Sequence, residues 1–137
     1  MFSELSLRDV ARLEKQRAVV AHAAGERFGI SLTRTIADLP VLQRLLDEQV
    51  FAKSQTYELQ CVGVAFGDVL ASELPLRWVI VSDEYGTDPT LRFQNTTLRF
   101  NALTMISKRI EDGRQVNLAE LFEGTRDHFA KLAGKTD

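Results

Sequence analysis

The stretch from Ser54 to Gly86 constrains the fold most, because an apolar helix there runs into an apolar strand and stops at an acidic turn. The helical part reads Tyr57, Leu59, Cys61, Val62, Val64, Ala65, Phe66, Val69, Leu70 and Leu74, and it is apolar nearly all the way round between Cys61 and Phe66. A helix with no polar side belongs in the middle of a domain. Gly63 and Gly67 sit four apart on one side of it, each costing about 1 kcal/mol of helix propensity relative to Ala. Such a cost points to close backbone approach by the sheet or by another helix. Gln55, Glu58, Asp68 and Glu73 interrupt the segment, and no stretch nears the roughly 18 consecutive apolar residues of a membrane span.

Pro75 ends the helix, and Leu76, Trp78, Val79, Ile80 and Val81 follow. Both alternating faces of this strand are apolar, which predicts a central strand covered on at least one face by the helix before it. Asp83 to Pro89 is rich in turn formers. Beyond it, Leu91 and Phe93 alternate with Arg92, and Leu98 and Phe100 alternate with Arg99. The pattern predicts a hairpin turning at Asn95 and Thr96 with its Leu and Phe side chains toward the core.

The flanking segments read as helices. From Ser6 to Phe28, the residues Leu7, Val10, Leu13, Val20, Ala21, Ala24 and Phe28 share one face, with Ser6 and Asp9 at the start and Gly29 past the end. Ile30 to Ala37 reads as an extended connector. Asp38 is placed to cap a second helix with Pro40 in its first turn and Leu39, Leu42, Leu45, Leu46 and Val50 inward. After the hairpin, Leu103, Ile106 and Ile110 mark a short helix ended by Gly113. Asn117 and Glu120 open a last helix with Leu118, Leu121, Phe122, Thr125, Phe129 and Leu132 inward, and Gly134 to Asp137 is expected to fray.

The expected architecture is therefore one α+β domain over residues 1–137, with a helical part at 1–53. In it, a mainly antiparallel sheet of three strands, Leu76–Val81, Leu91–Phe93 and Leu98–Phe100, packs against the central apolar helix. An N-terminal helical pair and two C-terminal helices complete the cover. A chain of 137 residues can bury about two-thirds of its unfolded surface, enough for one core.

Chemistry-bearing motifs are sparse. There is no phosphate-binding loop, no dinucleotide glycine fingerprint and no HExxH, and His22 and His128 stand in no metal or triad spacing. Neither a cofactor nor a resident metal is expected, and no catalytic residue is assigned. Cys61 is the one cysteine; inside the most apolar helix it reads as a small hydrophobe. A net charge of −2 lacks the basic excess of a nucleic-acid binder. The segment Met1 to Arg12 carries too many charges for a signal peptide, so a cytoplasmic setting is expected.

Two features remain as candidate binding residues. Asp83, Glu84, Tyr85 and Asp88 lie where a strand ends, a common place for function; Asp83, Glu84 and Asp88 could also gather round a hard cation or form an ordinary solvated turn. Arg92 and Arg99 would face each other on the outward side of the hairpin, and like charges directly opposite are destabilising. Compensation could come from the acidic loop or a helix, from an external anionic surface, or from a different register. Lys108, Arg109 and Arg114 would extend a basic strip.

The run Phe66-Gly67-Asp68-Val69-Leu70, then Trp78-Val79-Ile80-Val81 with Asp83-Glu84-Tyr85-Gly86, then Met105 to Ile110, Asn117-Leu118 and Leu121-Phe122, resembles the bacterial domain of unknown function 3806. The resemblance spans about Gln55 to Phe129, within a family-like part at 54–133. It departs at Asn101-Ala102, where the family would place a Phe-Pro pair. It implies a small α+β domain and no mechanism.

The functional expectation is a noncatalytic binding protein whose partner is another protein, with an immunity-like protein masking a toxin as its narrower form. A metal-assisted hydrolase using Asp83, Glu84 and Asp88 is the alternative. No membrane partner is expected. For the hairpin edge, pairing with a second copy and arginines that discourage such pairing stand side by side.

Overall fold

The structure is a computed structural model that describes residues 1–135. Its elements are β1 (Phe2–Ser3), α1 (Leu7–Phe28), α2 (Leu39–Asp47), α3 (Thr56–Glu73), β2 (Leu76–Asp83), β3 (Gly86–Phe93), β4 (Arg99–Phe100), α4 (Ala102–Glu111) and α5 (Leu118–Lys135), with a 3₁₀ turn at Ile36–Asp38 before α2. The class is α+β, as expected, but the sheet has four antiparallel strands in the order β1-β2-β3-β4. β1 escapes a reading of the sequence because two residues carry no period. It pairs Phe2 with Val81 and Ser3 with Ile80, which makes β2 a central strand.

α3 lies at the centre. Every residue from Cys61 to Leu70 is buried. A Cβ on Gly63 would run into the carbonyl oxygens of Ala102 and Leu103, so this glycine sets the distance between α3 and α4. A Cβ on Gly67 would stand 2.6 Å from Trp78 Cζ2 and 3.0 Å from Ala102 Cβ, so the second glycine admits the indole. Both close approaches inferred from the spacing are present. The face of the sheet bearing Leu76, Trp78, Leu91 and Phe93 packs on α3, and Phe129 of α5 stacks on Phe93 at 4.8 Å between ring centres.

α1 begins as expected: Asp9 N donates to Ser6 Oγ at 3.1 Å and Ser6 N donates to Asp9 Oδ2 at 2.8 Å, while Gly29 ends the helix at φ 65°. Its buried face is rotated from the expected one. Leu13, Gln16, Val20 and Ala24 are buried, whereas Leu7 and Val10 are exposed because the first turns of α1 project past the core. Asp38 starts α2 without capping it; its carboxylate instead holds the preceding loop. The Asp83–Pro89 loop is a correction. Only Glu84 and Tyr85 form the turn, and Asp88 and Pro89 belong to β3. Phe93 N donates toward β4, so the nitrogen of Pro89, an even number of residues away, faces the same side beyond the end of β4, where no ladder bond is lost.

The hairpin register is the expected one, with Leu91 opposite Phe100 and Arg92 opposite Arg99. Leu98, expected to face inward, is 39% exposed because β4 begins only at Arg99. α5 stays helical through Gly134 and Lys135, where fraying was expected; Thr136 and Asp137 lie outside the described residues. Among the described residues no helix is long and apolar enough to cross a membrane.

Candidate functional site

The outer face of the sheet carries most of the expected site residues. Alternation puts Arg77, Val79, Val81 and Asp83 of β2 on it, with Arg92, Thr90 and Asp88 across from them on β3. The two opposed arginines are thus three, since Arg77 is opposite Arg92 and Arg92 opposite Arg99.

Each arginine is compensated differently. Arg77 donates to Glu4 Oε1 at 2.8 Å. Arg99 pairs with Asp83 at 3.3 Å. Among the described residues Arg92 has no carboxylate partner; it donates to the carbonyl oxygens of Thr96 at 2.7 Å and Asn95 at 3.2 Å, and its guanidinium lies 4.4 Å from the centre of the Phe2 ring. A cation over an aromatic face at this range is attracted by the ring quadrupole. Beneath these side chains Val79, Val81 and Thr90 are buried. The row is therefore satisfied largely from within the chain.

The acidic residues disperse. Asp83 accepts from Tyr85 N at 2.8 Å, and this bond, followed by the hydrogen bond and charge of Arg99, holds its carboxyl below the ordinary carboxylate value against the opposing effect of burial. Tyr85 is 88% exposed at the turn, and Glu84 and Asp88 form no ion pair among the described residues. Among those residues no group of three or more His, Cys, Asp or Glu side chains could hold a metal ion. The convergence needed by a metal-assisted hydrolase is thus not formed by Asp83, Glu84 and Asp88. Lys108 and Arg109 belong to α4, which packs with α3, and Arg109 Nη1 donates to Met105 O at 3.1 Å.

Two concave places were missed by the sequence reading. The larger is a groove of about 1050 Å³ between α2, the turn at 49–53 and the α4–α5 connection. Gln43 braces its back wall: Nε2 donates to Val116 O and to Asp47 Oδ1, both at 2.9 Å, while Oε1 accepts from Leu118 N at 2.8 Å. Leu46, Phe51, Ile110 and Val116 give apolar wall. At one end Gly113 turns at φ 76°, with Lys53 Nζ 3.8 Å from where its Cβ would be, and Arg114 follows. Neither Lys53 nor Arg114 has a carboxylate within 4.0 Å among the described residues.

The smaller is a cleft of about 220 Å³ between α1, the loop before α2, and α3. Asp68, 3% exposed at its side chain, takes Arg17 Nε at 2.6 Å and Arg17 Nη2 at 2.8 Å, and its Oδ1 also accepts from Trp78 Nε1 at 3.0 Å. Arg17 Nη1 reaches Glu14 at 2.7 Å. Burial lowers the Arg17 pKa, but its hydrogen bonds and the charges of Asp68 and Glu14 outweigh this, and the net effect is upward. Arg34 completes a ring of alternating charge, 3.7 Å from Asp68 and 4.0 Å from Glu14. Asp68, the one charged residue between Glu58 and Glu73, was the available signal, since a buried carboxylate demands a partner.

The family described as a domain of unknown function, DUF3806, matches residues 38–122, more than half of the chain. The chain belongs to this family. The matched stretch takes in α2 and ends in the first turns of α5, and every residue lining the larger groove lies within it. The DUF3806 chain also superposes on a crystal structure from Bacteroides thetaiotaomicron with a TM-score of 0.85 at 16% identity, over 93% of this chain and 47% of that one. The likeness is one of fold, and it takes in parts of the chain outside the family match. This chain spans about half the length of the solved structure. No protein of curated function matches.

Proposed function

We propose that this DUF3806 protein is a noncatalytic binding protein that takes an acidic segment of a partner protein into the larger groove. The observation that carries this reading is the pair Lys53 and Arg114, two cations at one end of a braced groove whose lining lies wholly inside the family-matched residues. A carboxylate of the partner would meet these cations, and apolar side chains would lie on Phe51, Leu46 and Val116. Gln43 keeps the wall in place, which lowers the ordering cost of binding.

The reading replaces the outer sheet face as first choice. Arg77, Arg92 and Arg99 already have partners there, so an incoming acid would have to displace Glu4, Asp83 or a pair of carbonyls. A cytoplasmic, bacterial setting goes with the proposal, and an immunity-like protein masking a toxin is its narrower form. A toxin gene beside this one would support that form and a housekeeping neighbourhood would count against it. The groove itself is tested by selecting a displayed random-peptide library on the immobilised protein. Enriched peptides should carry Asp or Glu next to an apolar residue and should be lost with Lys53→Glu plus Arg114→Glu. Enrichment indifferent to that double change, or no enrichment, overturns the reading.

A further inference from the structure

Arg34 is the least committed guanidinium of the charge ring. Arg17 spends its three donor nitrogens on Asp68 and Glu14. Arg34 stands at 3.7 and 4.0 Å from the same two carboxylates, within ionic reach but beyond hydrogen-bond distance. It is also held in a costly backbone state. Its φ of 62° is left-handed, a conformation that crowds a residue carrying a Cβ. Asp38, itself 3% exposed, imposes this geometry by accepting from Thr33 N at 2.8 Å, Arg34 N at 2.7 Å and Thr33 Oγ1 at 3.0 Å. A buried carboxylate is thus spent on setting the loop that presents Arg34 at the mouth of the smaller cleft.

The apolar lining of the cleft is Ala18, Ala21, Leu32 and Ala65, and its volume of about 220 Å³ suits a compact ligand. We propose that this cleft binds a small monocarboxylate, with the carboxylate on Arg34 and a compact apolar body over the alanines. The Arg34 guanidinium makes no side-chain hydrogen bond among the described residues, and a planar guanidinium is matched to a carboxylate by two parallel hydrogen bonds. Glu14, Arg17, Asp68 and Arg34 balance one another, and the remaining charged residue of the lining, Asp38, is engaged by the amides of Thr33 and Arg34, so Arg34 is left to meet a single negative charge, whereas a phosphate dianion would stand too close to Glu14 and Asp68. The site is independent of the larger groove and would survive the failure of that reading.

The test is titration of the full chain, followed by protein-detected NMR, with benzoate and 4-methylpentanoate against their neutral amides and against butylammonium. Both carboxylates should saturate at millimolar concentration and shift resonances of Ala18, Ala21 and Ala65, and the amides should not. Arg34→Ala and Arg34→Gly should each weaken binding by about tenfold or more, the loss of a charge-assisted pair. Arg34→Gly removes the left-handed strain, so its melting temperature should equal or exceed that of the wild type. A purely structural Arg34 predicts a lower melting temperature instead. Carboxylate binding that persists in Arg34→Gly, no saturable binding, or preference for butylammonium overturns the proposal.

Discussion

Gly63 and Gly67 show how much a missing methyl group decides in this chain. Both were legible from spacing alone, because nothing else justifies two glycines in the most buried helix. What spacing could not say is that their neighbours differ. Gly63 abuts the backbone oxygens of Ala102 and Leu103, which cannot rotate away, while Gly67 abuts the ring of Trp78. Ala at either position gains about 1 kcal/mol of helix propensity and loses about 1–3 kcal/mol or more to overpacking. Gly63→Ala should therefore lower the urea midpoint more than Gly67→Ala, and the reverse order would refute this account. Cys61 makes a second case at this scale. Burial pushes its thiol up from 9.0 to about 11, with a weaker opposing pull from the Tyr57 hydroxyl. The native state then keeps a proton that the unfolded chain releases, so the stabilisation is complete below about pH 9 and gone above about 11. A difference of that size is worth on the order of 2–3 kcal/mol. The margin by which wild type exceeds Cys61→Ala in denaturant melts should shrink through that window, and a constant margin would disprove it.

Helices were more legible than strands, and the reasons are physical. α1 announces itself through Ser6, Asp9 and Gly29, all of which cap it as their chemistry demands. Its buried face was misplaced by the apolar Leu7 and Val10, since apolar side chains are common on surfaces and only packing separates the two cases. β1 has two residues and exists only because β2 offers it an edge. The acidic stretch looked like a loop because Gly86, Asp88 and Pro89 are turn formers, yet β2 runs to Asp83 and carries β3 with it as a partner. Tertiary pairing overrides local preference here. The hairpin register, by contrast, followed from Leu91, Phe93 and Phe100, because a slip of one residue would turn them all to the wrong face. The arginine opposition that this register implies is real, and its compensation by Glu4 and Phe2 was hidden because both come from the far end of the chain.

At the scale of the whole molecule, the question is whether the family-matched stretch stands alone. Residues 38–122 hold α2, α3, β2 to β4 and α4, but not β1, α1 or most of α5. Without α1 the carboxylate of Asp68 loses Arg17 and stays on a helix whose other sides are covered, and breaking a buried pair in this way costs about 3–5 kcal/mol. Leu13, Val20 and Phe129 leave the core as well, at about 1.5–3 kcal/mol each. Those losses together are of the same size as the roughly 5–15 kcal/mol by which a domain of this size is stable. The fragment 38–122 should therefore be collapsed without fixed packing: helical by far-ultraviolet circular dichroism, flat in the near ultraviolet, binding a hydrophobic dye and melting without a cooperative transition. Trp78, the sole tryptophan, reports the difference directly. Its indole donates to Asp68 against Gly67 in the full chain, so its emission should shift to the red in the fragment. Adding a separate peptide of residues 1–29 should restore part of the blue-shifted emission, because Arg17 and Leu13 return with it, and an Arg17→Ala peptide should restore less. A fragment that melts cooperatively with unshifted emission would show that the matched stretch folds by itself and that α1 is an accessory.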